Sequence, residues 1–475
     1  MKRERILTLL LALIAMAALG LTGCSDDDDD GNPTDPGGAM DDAMLRVVHA
    51  SPDAPGVDIY VNGDTQPVIM NLEYGDASSY LTVPAGDYTV EIRGHGSDPA
   101  SAPAYTADVT LAEGATVTAV AAGLLSSTDA DDTFRVLPLV EDFADPGAGN
   151  VAVRIVHAAA DAPTVALDIA NDGVPEVTDF ARFAETGAAG VALPAGEALP
   201  IGVWAGDPLA RASVFTTPEL PAGANLFVIA TGLLAGDPMD DGFSLLAIGP
   251  DGPVGFIRQD ARAMVYALHA SPDAPPVDID AMGGEVVTNL AFGGLSGALE
   301  LWPGAYGLDF RATGEASVAA SATTPYLEPG MTYLAIASGF LGGEPAFQLI
   351  PVADGFDGMA SDALVRVVHA SPDAPTVDVG PLDADDKVDA LADYTGLAFG
   401  AASPAAGTML PLGALTVGVA ATGTTDPVAT FDLEATAGLR AFAVACGSLQ
   451  GTGESFRLVL VIPGETWVTA EVMPN

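Results

Sequence analysis

Basic residues are scarce in this chain. Its 475 residues hold 16 Lys and Arg against 64 Asp and Glu, a formal charge of −48. That surface repels nucleic acid, whose binding depends on basic patches that release phosphate counterions. It also repels anionic lipid headgroups. Cysteine is nearly absent, with two residues, Cys24 and Cys446, and aromatics make up 6%. Trp204, Trp302 and Trp467 do not share a phrase that would mark a sugar-binding platform. What is plentiful is core material: 49% of residues are hydrophobic and 17% charged, which suits a globular chain.

Long apolar runs are confined to the start, "MKRERILTLLLALIAMAALGLTGC". A charged head precedes an apolar run over 6–21 that is short for a spanning helix and has the layout of a secretion signal. Leu21-Thr22-Gly23-Cys24 resembles the bacterial lipoprotein signal box. The resemblance implies cleavage before Cys24, lipidation of its thiol and a membrane anchor there. Ser25, in place of an inner-membrane retention aspartate, implies the outer membrane, with periplasmic or surface face open. An ordinary signal peptide with a chance cysteine is the alternative. The stretch "SDDDDDGNPTDPGGAMDD" then reads as an acidic, disordered tether over 24–44, since like charges repel and Gly and Pro prevent regular structure. Chelation by so flexible a run is weak, because ordering it costs entropy. Without residues 1–23 the chain keeps 13 basic and 63 acidic residues, a charge of −50, and Lys387 is its one lysine. With Cys24 given to the anchor, Cys446 has no disulfide partner.

Internal repetition dominates the remainder. "HASPDAP" stands at 49–55, 269–275 and 369–375, with "HAAADAP" at 157–163. Each copy opens on an apolar strand ending in the histidine. A second strand follows ("VDIYVNG", "VDID"), then an aromatic-glycine phrase ("NLEYG", "NLAFG", "GLAFG", and "DFARF" in copy two). Two turn-strand units and a closing strand that begins at Phe complete each copy. Alternation of period two between Pro-Gly and Ala-Gly turns predicts half-buried strands. Six or seven strands in about 95 residues predict a two-sheet sandwich, and the repeat is too long for a propeller blade. The fold class is therefore all-β: four tandem Ig-like/transthyretin-like β-sandwich domains, over 45–143, 151–250, 263–355 and 363–470. A helix is expected around 383–393. The acidic joints 141–150, 249–260 and 353–362 read as linkers that restrict the sandwiches without fusing them.

The "RVVHASPDAPxVDVYV" opening, the "NLxFG" phrase and the "PAG" turn resemble the DUF4397 family, over nearly all of 45–465. That implies a bacterial domain of unknown function, found in tandem on exported or surface-anchored proteins, and brings no activity with it. Copy two departs from the pattern: Ala159 and Ala160 replace Ser-Pro, and Asp168 reads as displaced by two extra residues.

The motif supplies His49, Asp53 and Asp58; His157 and Asp161; His269, Asp273 and Asp278; His369, Asp373 and Asp378. With the serine two residues after the histidine, these invite a hydrolase reading. Against it, copy two has Ala159 for that serine, no "GxSxG" elbow is present, and a phrase found once per domain is a poor active site. Zinc or iron needs more than one histidine per domain. A structural corner accounts for the motif better: the prolines fix φ, the Asp53 carboxylate accepts N–H bonds within the turn, and His49 finds Asp53 or Asp58 as partner. Asp129, Asp131, Asp132, Asp240 and Asp241, in loops before the closing strand, are weak candidates for calcium, without EF-hand spacing. Cys446 matches Ala122, Thr231 and Ser338, so a small packed residue is expected there. Together these readings anticipate a non-enzymatic, lipid-anchored envelope protein without a cofactor, a spacer or adhesion array with an envelope protein or polysaccharide as partner. A calcium-stabilised rod and a hydrolase or metalloenzyme are the rivals.

Overall fold

The computed structural model describes residues 42–475; the stretch read as a signal, Cys24 and the stretch read as a tether, up to residue 41, lie outside the described residues. The reading of a tether as far as residue 44 is corrected, because Ala43 is buried and opens the first strand, Ala43–His49. The described chain is all-β, with thirty-three strands and one three-residue 3-10 turn. Each repeat is a two-sheet sandwich. In repeat 1 the inner sheet runs Leu81–Val83, Ala43–His49, Thr116–Ala122, Arg135–Val140, and the outer sheet Ile69–Leu72, Val57–Val61, Gly86–Gly94, Tyr105–Leu111. The opening strand Ala43–His49 lies parallel to Thr116–Ala122, and the other neighbours are antiparallel. Repeats 2, 3 and 4 repeat this order. In repeat 4 the outer sheet keeps three strands. The helix expected over 383–393 does not form: the 3-10 turn Ala392–Tyr394 is the regular element there, and Tyr394 plugs the core while its hydroxyl donates to the Val365 carbonyl at 2.8 Å.

The inner sheets are apolar on both faces, and this decides the architecture. Val47 points into the core of its own sandwich, with Val57 and Ile59. Its neighbour Val48 points the other way, into a second core shared with repeat 2, beside Val156, Phe227, Ile229 and Ile248. Strands buried on both faces read as continuous apolar runs rather than alternating ones, which explains "RVVHA". Repeats 3 and 4 share a core in the same manner, through Leu268, Leu334 and Ile336 against Val368, Phe442 and Val444. The expectation of separate sandwiches is corrected: repeats are fused in pairs, 1 with 2 and 3 with 4, each pair four sheets deep. The apolar face opposite each core must be covered, and its twin covers it.

The joints take part. Phe143, in the first, meets Phe227 edge-on at 5.2 Å, and Phe356, in the third, meets Phe442 at 5.0 Å. The joint read over 249–260 contains a strand, Gly252–Ile257, hydrogen-bonded to the closing strand Ser244–Gly249 of repeat 2. Repeat 4 gains the equivalent strand, Val468–Val472, beside Arg457–Ile462. Repeats 1 and 3 have none. There the closing strands carry Pro138 and Pro351, opposite Ala119 and Ala335, where repeats 2 and 4 have Ala247 and Leu460. Proline has no N–H for a further strand, so it closes an edge.

Arginine on the opening strand seals the seams. Arg46 Nη1 donates to the Gly249 carbonyl of repeat 2 at 2.6 Å, and Arg154 Nη1 of repeat 2 returns the bond to Val140 of repeat 1 at 2.6 Å. This reciprocity is that of a two-fold interface built within one chain. In the second pair, Arg366 donates to the Ala353 carbonyl, while Tyr266 takes the remaining arginine position and stacks on Trp467 at 4.3 Å. Between the pairs, Arg211 of repeat 2 lies between Trp204 and Tyr306, 5.0 Å from each ring. It rests against Gly304, where a Cβ would sit 2.7 Å from the guanidinium. Folding thus brings Trp204 and Trp302 to one joint, the latter under Arg262 at 4.5 Å, and sends Trp467 to the seam.

Candidate functional site

The four motif histidines are buried, between 1% and 2% exposed. Each donates from Nε2 to the carbonyl of the proline closing its own motif: His49 to Pro55 at 3.2 Å, and His157 to Pro163, His269 to Pro275 and His369 to Pro375 at 3.0 Å each. A carbonyl only accepts, so Nε2 carries the proton and Nδ1 is free to accept. Ser51 and Ser271 give Nδ1 a backbone N–H at 3.4 and 3.3 Å; in repeats 2 and 4 Nδ1 has no hydrogen-bond partner. The expected carboxylate partner is replaced by the backbone. Burial holds all four imidazoles below their ordinary pKa, against the opposing pull of the proline carbonyl. They are neutral at pH 7.

The motif serine turns its hydroxyl to the backbone and not to the imidazole. Ser51 Oγ donates to the Gly123 carbonyl at 2.7 Å, and Ser271 and Ser371 to Gly339 and Gly447 at 2.6 Å. These glycines have positive φ, and a Cβ would meet the carbonyl oxygen of Thr133, Ala346 or Ser455 at 2.3 to 2.4 Å, so the far end of the loop folds back onto the glycine that binds the corner. The motif aspartate clasps the same loop. Asp53 accepts from Leu125 and Ser126 N–H at 2.8 Å, Asp161 from Leu234 at 3.0 Å, Asp273 from Leu341 at 3.0 Å and Asp373 from Leu449 at 2.8 Å. These donors lie some seventy residues away, not within the turn. Burial pushes Asp53 and Asp373 up, but the bonds from Ser126 and Leu125, and from Ser448 and Leu449, outweigh it and hold both below the usual carboxylate range.

The second aspartate does separate work on the outer sheet. Asp58 accepts from Asn71 N–H and His95 Nδ1 at 2.8 Å. Asp278 accepts from Asn289 N–H at 2.8 Å and Thr313 at 3.0 Å, and Asp378 from Gly396 N–H at 2.7 Å and Thr422 at 3.0 Å. His95, the fifth histidine, was not singled out by the sequence; its place one residue before the glycine that turns the hairpin, where repeats 3 and 4 have threonine, is the signal. In repeat 2, Val165 follows His157 at the spacing of the other copies, so no residues are inserted. Ala166 takes the place of Asp58, and Asp168 stands two residues further along the strand, accepting from Gly173 N–H at 2.8 Å.

The motif histidines sit inside their own sandwiches, one per repeat. The aromatic-glycine phrase closes over each from the side: Gly75, Phe183, Gly293 and Gly400 donate N–H to the histidine carbonyl at 2.7 to 2.9 Å. Phe183 does so at φ 62°, where the other copies have glycine. Asp129 and Asp132 bond within their own loop, to Asp131 N–H at 3.0 Å and to the Ser127 hydroxyl, while Asp129 and Asp131 are exposed, and Asp241 accepts from Asp237 N–H at 2.8 Å beside Asp240. Among the described residues no group of three or more His, Cys, Asp or Glu is placed to hold a metal ion. Cys446 is fully buried in the seam and burial pushes its thiol up to about 12. Its counterparts each face the seam of their own pair. Thr231 Oγ1 donates across it to the Ala50 carbonyl at 2.7 Å, and Ser338 Oγ to Ala370 at 2.6 Å.

The model of the domain of unknown function DUF4397 matches residues 43–169 and 263–380, slightly more than half of the chain. The chain belongs to the DUF4397 family. Each matched region runs from an odd repeat into the motif of the even one. No curated protein matches the chain. Among solved structures, the Bacillus anthracis TIE protein is similar at 11% identity, over 86% of this chain and 67% of its own, with a TM-score of 0.16; that likeness carries no structural argument.

Proposed function

We propose that this DUF4397 chain is a non-enzymatic, lipid-anchored protein of the cell envelope, whose paired sandwiches form a stiff spacer that presents loops to an envelope protein or polysaccharide. The observation that supports this reading most is the use of the motif. Histidine and the first aspartate bond backbone groups of their own repeat in all four copies, and the serine hydroxyl does so in the three copies that have it, which braces loops and leaves no imidazole beside the serine hydroxyl to act as its base. Seams in place of flexible linkers suit reach, and repetition suits avidity, since linked weak modules raise effective concentration. Attachment is assigned to lipid on Cys24, because the acidic chain is repelled by anionic headgroups. No cofactor is required.

The test is incorporation of labelled palmitate in a bacterial host with membrane fractionation. The full chain is expected to label and to fractionate with the outer membrane, and Cys24→Ala to do neither. An unlabelled, freely soluble mature chain overturns the anchor. Replacing all four motif histidines by alanine is expected to lower Tm; loss of a measured turnover at unchanged Tm overturns the non-enzymatic reading.

A further inference from the structure

The interiors of the sandwiches differ in one respect that the shared bonding scheme does not explain. Repeat 1 encloses a cavity of about 250 Å³, repeat 2 one of about 140 Å³ and repeat 4 one of about 100 Å³. Repeat 3 has two small voids instead, about 20 and 60 Å³. One position accounts for the contrast. Opposite Ile59, Leu167, Ile279 and Val379 stand Ile92, Val203, Phe310 and Val419. Phe310 lines both voids of repeat 3 and divides the space; the branched aliphatic residues line the open cavities of the others.

We propose that the interiors of repeats 1, 2 and 4 bind an unbranched alkyl segment, and that repeat 3 does not. The cavity of repeat 2 follows Val153, Ile155 and His157 along one strand, about 13 Å at the usual rise per residue. It is a slot, which suits a chain of methylenes better than a ring. Its walls are almost wholly apolar, and empty apolar cavities of comparable size stay dry and admit hydrocarbons. Glu219 and Val254, both exposed, line its rim, so a polar head reaches water there. With Glu219 at the rim and a chain charge of −48, the head is neutral rather than anionic. This proposal goes beyond the spacer reading and does not depend on it.

Calorimetric titration of the purified protein with 1-butanol, 1-pentanol and 1-hexanol tests it. Saturable binding at three sites per chain is expected, tightening about fourfold per added methylene, with hexanoate weaker than hexanol. Ile92→Phe, Val203→Phe and Val419→Phe are each expected to remove one site, and Phe310→Val to add one. Absence of saturable uptake overturns the proposal, as does undiminished binding by the triple phenylalanine variant with native near-ultraviolet dichroism. Where that variant fails to fold, Phe310→Val decides: no added site overturns it.

Discussion

Odd and even repeats share a motif, a topology and a bonding scheme, yet they are not interchangeable. Repeats 1 and 3 end on strands blocked by Pro138 and Pro351, whereas repeats 2 and 4 end on strands that accept a fifth neighbour. The even members supply the large seam residues Phe227 and Phe442, which pair with Arg154 and Arg366 on the opening strand; the odd members have Thr118 and Leu334 at those positions. Beside the arginine bonds, a hydroxyl at one equivalent position bonds across each seam, Thr231 from the even member of the first pair and Ser338 from the odd member of the second. The difference shows that the structural unit is the pair. An odd repeat carries an apolar face shaped for its even neighbour.

The largest expected effect comes from separating the two kinds. A chain ending at residue 355 leaves repeat 3 without repeat 4 and exposes Leu268, Leu334 and Ile336, which are fully buried in the intact protein. Exposed apolar patches of this kind drive association. Light scattering is expected to show self-association, while a chain ending at residue 262, with one complete pair, stays monomeric. A monomeric 42–355 fragment would break the comparison.

Within an intact pair, Phe442→Ala is expected to cost about 3–5 kcal/mol, the usual range for a buried phenylalanine. It removes the contacts with Phe356 and Trp467 together, at 5.0 and 5.6 Å. Thr118→Ala, at the odd counterpart in the other pair, removes one hydroxyl bonded to Arg46 and is expected to cost about 1–3 kcal/mol. Denaturant unfolding checks both, and equal losses would argue against an even-repeat anchor.

Acid sharpens the comparison at the motif. The four histidines titrate below their ordinary value in the folded protein, so their stabilising contribution is present above about pH 6.5. It is lost as pH falls through the folded values, because the unfolded chain then binds more protons. Falling Tm between pH 7 and 5, with proton uptake on unfolding, is expected. Histidine nitrogen shifts read by NMR should show all four motif imidazoles protonating below the range of an exposed histidine; one that titrates in the ordinary range would remove the role given to burial.

How much of this was legible in the sequence follows from the range of each interaction. Repeat order, strand content and the corner came from local signals: period-two alternation, Pro and Gly at turns, one phrase recurring. The pairing of repeats did not, because an apolar strand buried on two faces looks like one that ends in a single thick core. A signal was present, though. Pro138 and Pro351 against Ala247 and Leu460 mark which closing strands remain edges, and "RVVHA" lacks the polar alternation an exposed face requires. The partners of Asp53 and His49 were misplaced for a related reason. Sequence proximity favoured Asp53 and Asp58 for the imidazole, whereas the proline carbonyl is nearer in space, and the donors to Asp53 come from a distant loop. Leu460→Pro tests the edge rule directly. At the position equivalent to Pro138 the N–H faces the fifth strand, so the substitution removes a bond to Val468–Val472 and is expected to cost about 1–3 kcal/mol. Hydrogen exchange should quicken at 468–472 and not at 440–446; protection retained in the fifth strand would refute the rule.

The smallest expected effect concerns the serine that copy two lacks. Ser371 Oγ is buried and donates to the Gly447 carbonyl at 2.6 Å, so Ser371→Ala leaves that acceptor without the hydroxyl and is expected to cost about 1 kcal/mol. In repeat 2 the same position is Ala159, fully buried, and Gly232 occupies the place of Gly447 with φ 87° against 86°. The corner therefore keeps its backbone without the serine, held by Asp161 and the histidine. Ala159→Ser is expected to restore up to about 1 kcal/mol if the hydroxyl reaches the Gly232 carbonyl. The two substitutions, read as a shift in denaturant midpoint, should be opposite in sign. A change in Ser371→Ala several times larger than this would mean that the hydroxyl does more than brace a loop, and the even repeats would then differ from each other as much as they differ from the odd ones.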